Sequence, residues 1–213
     1  KLVQNFLEQG IESKKNKKNI CLGINFGKSK ITSLDNAKED YLTSLKLLIP
    51  YCDYAAINIS SPNTLGLRKL QDPLLLRELL QEIKILPNCP PLFVKIAPDL
   101  NFKEIEDICQ LIIEEKIDGI IATNTSIDRL GLDKRKIKQT GLLLSDESGG
   151  LSGKPLQNKA NKIIKHIHNI DKKIILIGVG GIDSPESAWE RICSGASLIQ
   201  VYTGWIYKGP QLV

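Results

Sequence analysis

Short apolar runs rich in β-branched residues alternate along this chain with longer stretches whose apolar positions recur every three or four residues. The runs are 20–26 (ICLGINF), 54–60 (YAAINIS), 92–98 (LFVKIAP), 119–125 (GIIATNT), 174–181 (IILIGVGG) and 198–204 (LIQVYTG). Their length and continuous hydrophobicity fit strands buried on both faces, as in parallel sheets. Helical spacing lies between them. Residues 35–49 align Tyr41, Leu42, Leu45 and Leu48, and 73–86 align Leu75, Leu76, Leu79 and Ile83. Residues 102–115 repeat Ile105, Ile108, Cys109, Ile112 and Ile113, and 158–169 repeat Ile163, Ile164 and Ile167. A further helix is expected over 184–194, where Asp183, Ser184, Pro185 and Glu186 combine a polar cap with proline in the first turn.

Strands alternating with helices imply β–α units around a parallel sheet, either open and doubly wound or closed as a (β/α)8 barrel. The polar residues separate the two. Nearly every run ends in groups able to bind a ligand: Asn25, Asn58, Lys95, Asn124, Gly180 with Gly181, and Tyr202 with Thr203. A barrel gathers all its strand C-termini on one face, whereas an open sheet concentrates contacts at one switch point. The expected fold is therefore an α/β TIM barrel, one domain over residues 1–213, with about six of the eight β/α units present. The long connection 126–151 is expected to be functional or mobile.

Composition changes this picture little. The 213 residues are 42% hydrophobic with a net charge of +5, ordinary for a folded domain. The densest basic run, Lys14, Lys15, Lys17 and Lys18 around Asn16, has no aromatic partners and reads as a solvated loop rather than a nucleic-acid surface. Five scattered cysteines without a C-x-x-C pair argue against a disulfide framework, and Cys21 and Cys52 are expected as small core residues. No run has the length of a membrane span. His166 and His168 stand two apart on a helix and are expected to be solvated, so no metal site is expected. The absence of methionine is expected of a fragment or a processed form.

The candidate chemistry sits at the strand ends. Residues 58–64 (NISSPNT) carry five side chains able to hydrogen-bond a small planar polar ligand, although the same residues could form a plain turn. Lys95 falls inside an apolar strand, where an unpaired ammonium is costly, so an anion, an electron-rich ring or a core carboxylate should meet it. Thr123, Asn124 and Thr125 add three polar groups to the next strand. Glycines at 178–181 (GVGG) and the 202–204 (YTG) segment follow two consecutive late strands, where backbone N–H groups can approach a phosphate. A third glycine-rich turn covers 149–153 (GGLSG). No G-x-G-x-x-G opens a β–α–β unit, so a nicotinamide site of that type is unsupported.

Six segments, 58–64 (NISSPNT), 94–100 (VKIAPDL), 123–125 (TNT), 149–156 (GGLSGKPL), 178–181 (GVGG) and 195–203 (GASLIQVYT), closely resemble dihydroorotate dehydrogenases, in order and with matching spacing. The chain is similar to class 2, the membrane-associated, quinone-reducing branch, because class 1 members carry cysteine where this chain has Ser61. Cys52 lies before the strand and cannot substitute. The resemblance implies a flavoenzyme of pyrimidine biosynthesis that binds FMN and oxidises dihydroorotate to orotate, with a quinone as final acceptor. It implies Ser61 as the base that removes a proton from C5 while hydride leaves C6. It assigns Asn58, Asn63, Asn124 and Thr125 to the substrate. Asn25, Asn58, Lys95 and Thr123 go to the flavin ring and ribityl chain, and Gly153, Gly181, Tyr202 and Thr203 to the phosphate.

The family barrel begins with two further strands, and class 2 members carry an N-terminal helical pair that meets the membrane. Neither has a counterpart here, so the chain is expected to be about two-thirds of a catalytic domain. The class places the protein peripherally at the bacterial plasma membrane or the mitochondrial inner membrane. Two alternatives stay open: a related FMN barrel acting on another dihydropyrimidine, and a truncated nucleotide-binding barrel without turnover.

Overall fold

The computed structural model describes residues 21–130, 132 and 136–213; the basic run at 14–18 lies outside them. Six strands, β1 (Gly23–Phe26), β2 (Tyr54–Asn58), β3 (Leu92–Ile96), β4 (Gly119–Ala122), β5 (Ile175–Val179) and β6 (Leu198–Gln200), pair in parallel in chain order. Five longer helices follow them: α1 (Ala37–Leu48), α2 (Pro73–Lys84), α3 (Phe102–Glu114), α4 (Gln157–Ile170) and α5 (Pro185–Cys193). The result is part of an α/β barrel, as the alternation predicts. A short α6 (Thr203–Lys208) overlaps the predicted sixth strand; six residues are too few to show a helical repeat.

Helix starts carry the expected chemistry. Asn101 and Glu104 form a reciprocal capping box on α3, and Ser184 with Ser187 does the same ahead of Pro185 on α5. Asp72 accepts from the Leu74 and Leu75 N–H groups at the start of α2. On α2, Leu80 is buried and Leu75 is exposed, a slight rotation of the apolar stripe from the predicted one.

The period of two in each strand divides the apolar residues into two layers. Ala55, Ile57, Leu92, Val94, Ile120, Ala122 and Leu176 pack with the helices in the main core. Their alternating neighbours Ala56, Phe93, Ile121 and Ile177 form a small plug on the other face, backed by Tyr54 and Val179. Tyr54 and Phe93 meet edge to face at 5.5 Å. Gly119 makes room for this plug, because a Cβ there would lie 2.7 Å from the Phe93 ring. Two residues beyond the plug on each strand, the same alternation turns Asn58, Lys95 and Thr123 toward the same face. The fold thus prepares a polar floor above an apolar base.

Two expectations are corrected. Cys21 is exposed and Cys52 half-buried, while Cys109 is the core cysteine; Cys21 precedes the first residue of β1 and so escapes the sheet. The histidines are half-buried rather than solvated. His166 stacks on Phe102 of α3 with centroids 4.3 Å apart, its Nε2 lying 3.2 Å from Glu106. The His168 ring covers Gly195, where a Cβ would lie 2.5 Å from its Cγ. Their helix is wedged between α3 and the α5–β6 turn, so both ring positions find neighbours.

Candidate active site

A cleft of about 310 Å³ opens beyond the C-terminal ends of the strands. It gathers Asn25, Lys95, Thr123, Asn124, Thr125, Gly153, Gly181, Tyr202 and Thr203 from six separate segments. Gly180, expected beside Gly181, joins them, as do Ser152 and Gln200, neither of which the sequence singles out for a ligand. Ser61 and Asn63 stand outside its lining, on the loop after β2, with Ser61 half-buried and Asn63 exposed.

Asn58 links that loop to the cleft. Its Oδ1 accepts from the Ser60 N–H at 3.3 Å, the Ser60 hydroxyl at 3.1 Å and Asn124 Nδ2 at 3.1 Å. These three donors fix the amide, and its Nδ2 has no acceptor among the described residues. The Tyr41 hydroxyl donates to the Asn58 carbonyl at 2.6 Å, and burial pushes the phenol well above its ordinary range, so it stays a donor. Asn124 also donates to Ser60 Oγ at 3.1 Å and accepts from the Thr125 N–H at 2.8 Å. Both ends of the Asn124 amide are therefore engaged within the protein. Ser61 Oγ accepts from the Asn63 N–H at 3.3 Å, its one hydrogen bond among the described residues.

Two polar groups in the cleft, the half-buried Lys95 and the buried Thr123, lack partners among the described residues. No carboxylate or acceptor meets the Lys95 ammonium among the described residues, and desolvation lowers its pKa. The core salt bridge considered for it is absent there. Thr123 is 1% exposed, and its Oγ1 has no hydrogen bond among the described residues. An unpaired buried polar atom is costly and calls for a ligand or a role. At the other end of the cleft, Gly153 and Gly181 adopt φ of 80° and 75°. A Cβ on Gly181 would lie 2.7 Å from Gln157 backbone atoms, so only glycine lets the chain pass there. Thr203 Oγ1 donates to Ser152 at 3.0 Å, joining the start of α6 to the 149–153 turn. Tyr202 lines the cleft and is 72% exposed. An unpaired cation and hydroxyl at one end and a glycine cradle at the other fit a long ligand with a polar ring and an anionic tail.

The connection expected to be functional or mobile is an arm closed at its base. Ser126 and Leu151 pair as an antiparallel bridge with bonds of 3.0 and 2.7 Å. Asp99 anchors it, accepting from the Ser126 hydroxyl, the Ile127 N–H at 3.0 Å and Lys159 at 3.2 Å. Arg68 pairs with Asp99 at 2.8 Å and donates to the carbonyls of Ser60 at 3.1 Å and Thr125 at 2.9 Å. This hub escapes sequence reasoning. Asp99 follows the predicted third strand, but nothing marks Arg68, which comes from a short turn of helix between β2 and α2.

Known proteins share the sequence and the fold. The family profile described as dihydroorotate dehydrogenase matches residues 3–213. The dihydroorotate dehydrogenase (quinone) of Prochlorococcus marinus (strain MIT 9313) is 56% identical over 193 residues, covering 90% of this chain and 49% of that protein. The protein of the same description from Nostoc sp. (strain PCC 7120) is 51% identical over 196 residues, covering 91% and 52%. The chain spans about half the length of these curated relatives. The ligand-free crystal structure of the Eimeria tenella enzyme superposes with a TM-score of 0.86 at 34% identity, over 99% of this chain and 62% of that one.

Proposed function

Because the chain belongs to the dihydroorotate dehydrogenase family, we propose that its cleft is the FMN site of an enzyme oxidising dihydroorotate to orotate in pyrimidine biosynthesis. The observation that carries the reading is the pairing of two unsatisfied groups, Lys95 and Thr123 Oγ1, with a glycine cradle in one cleft. Asn25, Asn58, Lys95 and Thr123 would hold the ring and ribityl portion, and Gly153, Gly181, Tyr202 and Thr203 the phosphate. When bound, FMN supplies the acceptor for the hydride leaving C6 of the substrate and relays the electrons to a quinone.

The protein's own groups do the rest. Ser61 removes the C5 proton, a task for which a free hydroxyl is too weak a base and which requires positioning and exclusion of water. The Ser60–Asn58–Asn124 network fixes the loop that carries it. Asn58 Nδ2, Asn63 and Thr125 present hydrogen bonds to the pyrimidine edge and carboxylate, and Asn124 orients Asn58 and Thr125 toward them. The Lys95 ammonium, held in a poorly solvated setting, stabilises negative charge developing nearby. The relatives' description supports a quinone as the final acceptor, and a peripheral place at the bacterial plasma membrane or the mitochondrial inner membrane is part of the same proposal. Among the described residues, no helix is long and apolar enough to cross a membrane.

The test is reconstitution. The full-length protein, stripped of flavin and supplied with FMN, should regain flavin absorption and bleach anaerobically with dihydroorotate. Failure to take up FMN, or bleaching with dihydrouracil alone, would sink this reading.

A further inference from the structure

Arg191, on α5, is fully buried, at 0% exposure, beneath the glycine cradle. Its Nε donates to Asn161 Oδ1 at 2.5 Å, and its Nη2 donates to the carbonyls of Gly180 at 2.7 Å and Gln157 at 3.3 Å. Its Nη1 has no partner among the described residues. No carboxylate pairs with it among the described residues, and Glu190, its neighbour, is exposed and accepts from Gln157 Nε2 instead. Desolvation draws its pKa down to about 10, which leaves it charged at neutral pH. A buried cation without a counter-ion is expensive, and replacing such a group with an apolar one commonly stabilises a fold.

Its contacts point to what offsets that cost. A trans peptide sets its C=O and the following N–H in opposite directions. By holding the Gly180 carbonyl, Arg191 turns the Gly181 N–H away from itself, and Gly181 lines the cleft. No protein acceptor takes that N–H among the described residues. The same guanidinium reaches Gln157, the residue that forbids a side chain at Gly181. Gly178 preserves the space, since a Cβ there would lie 2.5 Å from Arg191 Cγ.

Resting on the FMN reading above, we infer that Arg191 is a positioning residue for the phosphate dianion: it aims the Gly180–Gly181 peptide at the anion and supplies a buried positive charge behind it, which Glu190 offsets only at a distance. A strut that only filled the core would support both flavins equally, whether or not they carry a phosphate.

The experiment compares FMN with riboflavin on the full-length protein stripped of flavin, by flavin fluorescence titration of wild type, R191Q, R191K and N161D. R191Q should weaken FMN about tenfold or more, the scale of lost hydrogen bonds to a charged group, while riboflavin binding holds. R191K, which keeps the charge but loses the fork, should fall between. N161D sets a carboxylate against the guanidinium and should weaken FMN selectively with Arg191 still in place. Inorganic phosphate should raise the melting temperature of the flavin-free wild type more than that of N161D. Equal loss of both flavins, or full FMN affinity in R191Q, overturns the inference; if R191Q does not fold, full FMN affinity in N161D does so. A wild type that binds neither flavin, or binds both equally, removes the phosphate assignment itself and the inference with it.

Discussion

Arg68 Nη1 lies 2.8 Å from Asp99 Oδ2, and through this pair the loop after β2, the end of β4 and the base of the 126–151 arm are held as one unit. Both side chains are largely shielded, at 20% and 15% exposure. Burial is the strongest influence on Asp99 and disfavours its charge. The hydrogen bonds from Ser126, the Ile127 N–H, Arg68 and Lys159 together outweigh it and hold the carboxyl below 3.8. A group with a depressed folded pKa contributes stability that is present above its unfolded value and lost as pH falls through the folded one. D99N should therefore flatten the acid side of the stability profile below about pH 4. At neutral pH it should cost about 3–5 kcal/mol, because Arg68 is left without its partner. Urea unfolding across pH checks both expectations.

Lys95 has the opposite character. Desolvation lowers its pKa below 10.5, with no partner to offset it. The unfolded chain keeps this proton to higher pH than the flavin-free folded protein, so stability rises with pH between the two values. K95M should remove that slope and stabilise the flavin-free protein by about 1–3 kcal/mol at neutral pH. The same variant should slow flavin reduction by dihydroorotate, read as the rate of bleaching. A flavin-free K95M less stable than wild type would show that Lys95 has a protein partner in solution.

Gly181 and Gly141 separate backbone strain from crowding. Both have positive φ, 75° and 71°, but a Cβ on Gly181 meets Gln157 at 2.7 Å while one on Gly141 meets nothing within 4 Å. G141A should cost about 1–2 kcal/mol, the left-handed penalty alone, and leave FMN binding intact. G181A adds displacement of the start of α4 and should lower both the melting temperature and FMN affinity. Equal effects of the two variants on FMN would remove the crowding argument.

The legible parts of this molecule are those fixed by local pattern. The alternation of runs and repeats gives the strands and the five longer helices because each element's spacing directly encodes which face it buries. Lys95 stands out because an ammonium inside an apolar strand has few bland explanations. Arg68 and Arg191 do not stand out, because each sits beside a charged neighbour, Lys69 or Glu190, in a mixed stretch where an exposed arginine is ordinary. Their burial arises from packing against segments 31 to 57 and 11 to 34 residues away, respectively. His166 and His168 fail for the same reason: spacing says they diverge, but not that Phe102 and Gly195 wait on either side.

Ser61 offers the sharpest test of the chemistry. Among the described residues its hydroxyl has one hydrogen bond, from the Asn63 N–H at 3.3 Å, and no histidine or carboxylate to activate it. It must rely on position, which the Ser60–Asn58–Asn124 network provides from the neighbouring residue. S61A should leave that network and FMN binding in place and lower turnover of dihydroorotate by about a hundred- to ten-thousandfold, the usual worth of a general base. Flavin absorbance reports retention, and its anaerobic bleaching reports the chemical step. S61C should restore part of the rate, rising with pH as the thiol ionises near about 8.5. Undiminished bleaching in S61A would assign the C5 proton to another group, and loss of FMN from S61A would instead make Ser61 a structural residue of the cleft wall.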